Sequence, residues 1–248
     1  MKTIPMAKVD KGAGWTREAV LQNIQEQGNT VLLSFSRGKD SLAAWLYLRD
    51  HGVTVVPFHC LIVPDMQFVE DSLHYYEDFF GEHIYRVLHP NFYHWLQTLG
   101  FQTPEQAKSI IKLGLPRFGY EDVQRGVART SGLPEDTWTA IGVRIADSLN
   151  RRLAFQATGP FNAKTRKVSV VFDMRKEELI ETLKKSGVRL AQEYHWSDRS
   201  FDNFSMQFLP ILRDHFPADY DRLLYWFPLV GLQFARLTIA KEHGYATE

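Results

Sequence analysis

The stretch Thr30–Ser41, TVLLSFSRGKDS, constrains the chain more than any other part of it. A short β-type run feeds a polar loop, and an apolar-periodic helix is predicted to begin at Asp40. This order places backbone N–H groups and the positive end of a helix at one point, where an anion can bind. The GxxxxGK[ST] spacing of a Walker A loop is absent. The stretch predicts a phosphate-binding loop of another type, with candidate ligands Ser34, Ser36, Arg37, Gly38, Lys39, Asp40 and Ser41.

Strand-like and helix-like segments alternate along most of the chain. Apolar runs at 53–63, 83–88, 137–143 and 168–172 follow the first strand, with helical patterns between them, among them a short aromatic helix capped by Asn91. The alternation predicts an α/β fold with a doubly wound, mostly parallel five-stranded sheet. A Gly- and Pro-rich segment at about 100–135 is predicted to be a helical insertion, either a lid or a purely structural pair. We expect one domain over 15–200 and a helical C-terminal extension over 201–248.

The composition excludes several classes of function. Twenty-nine Lys and Arg balance 29 Asp and Glu, so no overall charge attracts nucleic acid or an anionic membrane. The single cysteine, Cys60, excludes an internal disulfide, a cysteine-based zinc site and a CxxC pair. No apolar run reaches the roughly 18 residues that span a bilayer, and residues 1–14 read as a loose arm without a signal-peptide core. The expectation is a cytoplasmic protein without membrane contact.

A second polar stretch, Ile141–Arg152 (IGVRIADSLNRR), follows the predicted fourth strand. Its arginines, Arg144, Arg151 and Arg152, are candidates for the crevice at the strand ends, where ligands of open parallel sheets bind. A guanidinium suits phosphate or sulfate because its fork matches two oxygens at once. Arg151 and Arg152 are also compatible with an ordinary solvated helix face.

Both stretches carry a resemblance to one superfamily. Ser36–Ser41 resembles the SGGxDS pyrophosphate-binding loop of the N-type ATP pyrophosphatases (PP-loop, adenine nucleotide alpha hydrolase-like proteins), with Arg37 at the first glycine. The second stretch resembles the GxRxxES segment of the branch related to phosphoadenosine-phosphosulfate (PAPS) reductase. Gly142, Arg144 and Ser148 fall on that motif, and Asp147 replaces its glutamate. With weaker likenesses elsewhere, the resemblance spans about residues 28–205.

The resemblance implies an ATP pyrophosphatase. Such a protein cleaves ATP between its α- and β-phosphates, adenylates an acceptor and releases pyrophosphate; here the acceptor, small or macromolecular, is unidentified. Lys39, Asp40 and Arg144 would carry catalysis, and Mg²⁺ would bind Asp40 and Asp65. The reductases of the group act through a C-terminal cysteine, and none follows Cys60. Thiol-dependent PAPS reduction is therefore not expected.

Three other functions stay open at this point. One is activity like that of sulfate adenylyltransferase, and a second is a nucleotide-sensing module in which Arg37 prevents turnover. The third is nucleic-acid modification, with the basic run Lys164–Lys167 (KTRK) as the contact, although a solvated loop or a small-anion contact is favoured for this run. The aromatic residues of the C-terminal helices fit internal packing or a homo-oligomer interface.

Overall fold

The computed structural model describes residues 14–243, so almost all of the predicted N-terminal arm lies outside the described residues. The described chain divides into two compact units. The first contains the described residues up to His59, together with Tyr76–Arg86 and Tyr120–Ala191. The second contains Cys60–Tyr75, Val87–Gly119 and the described residues from Gln192 onward. The expected division at residue 200 stays a prediction.

The described residues form six strands and eleven helices. The strands are β1 (Thr30–Ser34), β2 (Thr54–Leu61), β3 (Tyr85–Leu88), β4 (Thr139–Ile141), β5 (Phe161–Asn162) and β6 (Lys167–Ser169). The helices are α1 (Arg17–Glu26), α2 (Lys39–Asp50), α3 (Gln67–Phe80), α4 (Pro90–Gln97), α5 (Pro104–Leu113), α6 (Tyr120–Thr130), α7 (Leu149–Thr158), α8 (Lys176–Ser186), α9 (Leu209–His215), α10 (Pro217–Trp226) and α11 (Leu232–Glu242). Short 3₁₀ turns cover Ile145–Asp147, Gln192–His195 and Pro228–Gly231.

The strands form one mostly parallel sheet in the order β3-β2-β1-β4-β6-β5. β1 pairs in parallel with both β2 and β4, and β4 pairs in parallel with β6. The prediction of a mostly parallel α/β sheet is confirmed, and the strand order is consistent with a doubly wound fold. The predicted number of five strands is wrong, because Phe161 and Asn162, for which no strand was predicted, form β5 and pair antiparallel with β6. A two-residue strand has no periodicity by which a sequence could reveal it.

The strand and helix that flank the phosphate loop are the most deeply buried part of the first unit. Val31–Leu33 of β1 are at most 1% exposed, and α2 has seven buried residues on several faces. The ring of Trp45 on α2 stacks on Phe80 at a centroid distance of 3.8 Å and meets Phe35 edge-on at 5.1 Å. Each fully buried large apolar side chain contributes about 1.5–3 kcal/mol through the hydrophobic effect. The loop is therefore held between two well-packed elements.

The 100–135 segment contains two helices, α5 and α6. Helix α5 begins with a capping box made by Thr103 and Gln106 and ends at Gly114, whose φ of 57° is left-handed. Helix α6 buries Val123, Val127 and Ala128 in the first unit. None of the helices formed by residues 14–243 is long and apolar enough to cross a membrane.

The C-terminal aromatic residues pack largely within the second unit. Phe227 is fully buried and lies 5.0 Å from the ring of Phe204, and Trp226 meets Phe92 edge-on at 5.1 Å. Tyr225 is 68% exposed. Internal packing thus accounts for Trp226 and Phe227, and a homo-oligomer interface through these helices stays a prediction.

Helix α4 is capped by a neutral histidine and not, as the sequence suggested, by Asn91. The Nδ1 atom of His89 accepts a hydrogen bond from the backbone N–H of Asn91 at 2.9 Å, and Pro90 occupies the first helical position. Burial lowers the pKa of His89 to about 4, and the negative charge of Asp202 only partly opposes this effect. A protonated Nδ1 could not accept the bond, so acid removes the cap.

We expect the free energy of unfolding to fall as the pH drops from about 6.5 to about 4 because of His89. Above pH 6.5 His89 is neutral in both the folded and the unfolded protein. Between about pH 6.5 and pH 4 the unfolded chain binds a proton on His89, whereas the folded protein does not. The loss at pH 5 is about 2 kcal/mol, and it should be smaller in His89→Asn, which caps a helix without titrating. Urea unfolding at pH 7.5 and 5 measures this difference, and equal pH dependence in both proteins would contradict it.

Candidate functional site

The loops after β1 and β4 lie next to each other in the first unit. β1 and β4 are neighbouring parallel strands, so their carboxyl ends share one edge of the sheet. From β1 the chain continues to β2 on one side, whereas β4 is followed by β5 and β6 on the other. This is a topological switch point, the position at which open α/β sheets bind ligands.

Two serine hydroxyls close the first loop. The Oγ of Ser41 donates a hydrogen bond to the carbonyl of Gly38 at 2.9 Å and lies 3.1 Å from the Oγ of Ser36. The N–H of Gly38 also donates to Ser36 Oγ at 3.4 Å. Gly38 is the N-cap of α2, so no side chain caps this helix. A twelve-residue helix that begins without a side-chain cap directs its positive end at the loop, as anion sites require.

Arg37 adopts a backbone conformation that favours glycine. Its φ is 62°, in the left-handed region, at the position where the resembling loop has its first glycine. The side chain is 0% exposed, whereas the neighbouring Ser36 is exposed. The structure therefore buries the guanidinium inside the protein and leaves Ser36, not Arg37, at the surface of the loop.

The left-handed backbone of Arg37 predicts a stability difference between two variants that both lack its side chain. Arg37→Gly should be more stable than Arg37→Ala by about 1 kcal/mol, because only alanine pays the steric cost of a positive φ. Chemical denaturation of the two variants measures this difference. If Arg37→Ala proved the more stable, the left-handed conformation of the loop would be refuted.

Gly142, at the end of β4, lies against the first turn of α2. A Cβ atom at this position would be 2.6 Å from the carbonyl carbon of Asp40 and 2.7 Å from the backbone N of Ser41. Real Cβ atoms do not approach other atoms so closely, and neither contact is with a side chain that could rotate away. The glycine therefore allows the second loop to contact the start of α2 directly.

Arg144, in the loop after β4, forms an ion pair with Asp40, at the start of α2. Its Nε lies 2.6 Å from Oδ1 of Asp40, and its Nη2 lies 3.0 Å from Oδ1 of Asp147. Its Nη1 donates to the carbonyl of Met174 at 3.3 Å. Burial raises the pKa of the Asp40 carboxyl above its ordinary value; the Arg144 guanidinium opposes this shift, and Asp147 adds to it. The predicted catalytic residues Asp40 and Arg144 are thus in direct contact.

The remaining predicted residues of the second stretch lie at the start of α7. The Ser148 hydroxyl accepts a hydrogen bond from the Arg151 N–H at 3.2 Å and caps the helix. Arg151 forms an ion pair with Asp147 at 2.5 Å and is about half exposed, and Arg152 is exposed. Ser148 therefore has a local structural role, while the two arginines retain exposed charge near the switch point.

The two candidate metal ligands belong to different units. Asp40 is in the first unit, with a side chain 30% exposed. Asp65 is in the second, in the turn after β2, with a left-handed φ of 59°. Within residues 14–243 no group of three or more His, Cys, Asp or Glu side chains is suited to hold a metal ion. Asp40 is therefore the one of the two candidates that lies in the unit with the phosphate loop.

The basic run Lys164–Lys167 is partly occupied by contacts within the first unit. Arg166 lies over the ring of Trp138 at 4.5 Å and pairs with Asp136 at 3.0 Å. Lys167 lies over the ring of Tyr120 at 5.1 Å. These contacts favour a loop fixed by the fold over a nucleic-acid contact.

Sequence reasoning missed two parts of the site. Asp147 entered only as a motif substitution, yet its carboxylate contacts both Arg144 and Arg151; its spacing of three and four residues from them could have revealed this. The Nδ1 of buried His59 lies 2.7 Å from the carbonyl of Phe35, at the start of the loop. No sequence signal connects those two residues, which are 24 positions apart.

In comparisons with known proteins, no family model and no curated protein sequence matches this chain. The fold and the site define a mostly parallel α/β protein in which a strand–loop–helix turn lies at the switch point of the sheet.

Proposed function

We propose that the protein is a PP-loop ATP pyrophosphatase, of the branch related to PAPS reductase, that adenylates an acceptor and releases pyrophosphate. One observation carries the proposal: the GKDS turn and the GxR segment meet at the switch point, where Gly142 contacts the first turn of α2 and Arg144 pairs with Asp40. An isolated GKDS tetrapeptide is weak evidence for a phosphate site. Its direct contact with the second motif is what supports a nucleotide site.

In this proposal the loop holds the phosphates of ATP. The start of α2, the exposed hydroxyl of Ser36 and the Lys39 ammonium bind the β- and γ-phosphates, and Ser41 holds the loop closed through its bond to Gly38. Negative charge grows on these phosphates as the acceptor attacks the α-phosphorus, and the same groups stabilise it. The protein needs no nucleophile of its own, because orientation and electrostatics suffice for phosphoryl chemistry. Arg144 and the exposed Arg151 and Arg152 add positive charge at the crevice.

Mg²⁺, when bound, would neutralise charge on the phosphates. Asp40 would hold it, and its partly buried carboxylate already faces a counter-ion. A cytoplasmic location also remains part of the proposal.

The experiment that tests the function follows ATP labelled on its α-phosphate. The protein is incubated with this ATP and Mg²⁺, with and without a small-molecule extract, and the products are separated. Label in AMP or in a new adenylate, with an equal amount of pyrophosphate, would support the proposal. ATP that binds tightly and stays intact would favour the nucleotide-sensing module. Absence of ATP binding would refute the nucleotide site itself.

A further inference from the structure

One carboxylate, that of Asp147, contacts three parts of the candidate site. Its Oδ1 lies 3.0 Å from Nη2 of Arg144, and its Oδ2 accepts the backbone N–H of Arg144 at 3.0 Å. The same Oδ2 pairs with Nη1 of Arg151 at 2.5 Å. Asp147 thereby connects a guanidinium, the backbone of the β4 loop and the first turn of α7.

These contacts fix the direction of the Arg144 side chain. Its guanidinium meets Asp40 through Nε, Met174 through Nη1 and Asp147 through Nη2. The side chain is only 9% exposed, so water replaces few of these partners if one is removed. Since a guanidinium is a rigid planar fork, anchoring all three nitrogens leaves it one orientation.

Helix α7 lies at the surface of the first unit. None of its residues is buried, and its aromatic contact is the ring of Phe155 on Phe172 at 5.9 Å. The Asp147–Arg151 pair joins the first turn of α7 to the loop that contacts α2. The cluster contains two carboxylates and two guanidinium groups, those of Asp40, Asp147, Arg144 and Arg151. Their charges cancel, so the removal of any one member leaves a net charge in the cluster.

We infer that Asp147 is a positioning residue, which holds Arg144 toward the start of α2 and connects α7 to the phosphate loop. The inference rests on the proposed function where it concerns ATP, because Arg144 is proposed to add positive charge at the nucleotide crevice. Asp147 itself touches no phosphate; it acts through Arg144.

A double-mutant cycle tests whether Asp147 acts through Arg144. Asp147→Asn should weaken binding of ATP with Mg²⁺ about 10-fold, the lower end of what outer-shell partners contribute at metal sites. Asp147→Glu should restore most of the affinity. In the Arg144→Met background, Asp147→Asn should weaken binding less than in the wild-type background, because the main group that it positions is gone. The matched control is Asp122→Asn, which breaks an exposed ion pair of the same i,i+3 spacing with Arg125 on α6.

A second measurement needs no nucleotide. Amide hydrogen exchange of residues 142–152 should be about 10-fold faster in Asp147→Ala than in the wild type, with α8 unchanged, since the Arg144 N–H loses its acceptor. Unchanged exchange, or additive effects of Asp147→Asn and Arg144→Met on ATP affinity, would overturn the inference. A wild-type protein that fails to bind ATP would refute the proposed function, and faster exchange in Asp147→Ala would still support the positioning role.

Discussion

Replacing Lys39 by alanine is expected to weaken ATP binding about 10- to 100-fold. A hydrogen bond to a charged group contributes roughly 1.5–3 kcal/mol, and each 1.4 kcal/mol is about a factor of ten in affinity. Cleavage should fall by about another 10²- to 10³-fold, because Lys39 would also stabilise charge that develops only as pyrophosphate leaves. Titration with ATP and the α-phosphate label measure the two effects separately.

The control for this variant is Lys112→Ala, which removes an exposed lysine from α5 in the second unit. It changes the net charge by the same amount and should leave ATP affinity unchanged. Lys39→Arg keeps the charge and should lose less affinity than Lys39→Ala. Unchanged binding in Lys39→Ala would mean that the loop does not hold the phosphates and that the proposed site is wrong.

The sequence was sufficient to predict the framework of the site. The strand at Val31–Leu33 and the helix that follows Gly38 were both readable, because an apolar run and a 3.6-residue period are local signals. The α/β class followed from the alternation of such segments. β5 was not predictable, since its two residues are a strand only through their pairing with β6.

The contacts between the two loops of the site, which are distant along the chain, were not readable from the sequence. Asp40 and Arg144 are separated by 104 positions along the chain, and their ion pair depends on the placement of β4 beside β1. The cap of α4 shows the same limit on a smaller scale. His89 is an uncommon N-cap, and it displaces Asn91 from this role because Pro90 fixes the first helical position.

The proximity of Gly142 to α2 leads to the largest expected effect on stability. Gly142→Ala places a methyl group 2.6–2.7 Å from backbone atoms of Asp40 and Ser41, so one of the two loops must move. Overpacking of this kind destabilises a protein by about 1–3 kcal/mol. The displaced atoms belong to the start of α2, and a shift of about 1 Å in a binding group can reduce activity about 100-fold. ATP affinity should therefore fall even under conditions in which the variant remains folded.

Gly126→Ala is the matched control, since a Cβ at this position in α6 meets nothing within 4 Å. Alanine in a helix interior is favoured over glycine by about 0.5–1 kcal/mol, so this variant should gain stability and keep its affinity for ATP. Urea denaturation and ATP titration of the two variants separate steric displacement at β4 from a general effect of adding a methyl group. If Gly142→Ala kept full stability and affinity, the two motifs would not be in contact. The proposal of a shared nucleotide site would then lose its main support, because that site depends on the contact and not on either motif alone.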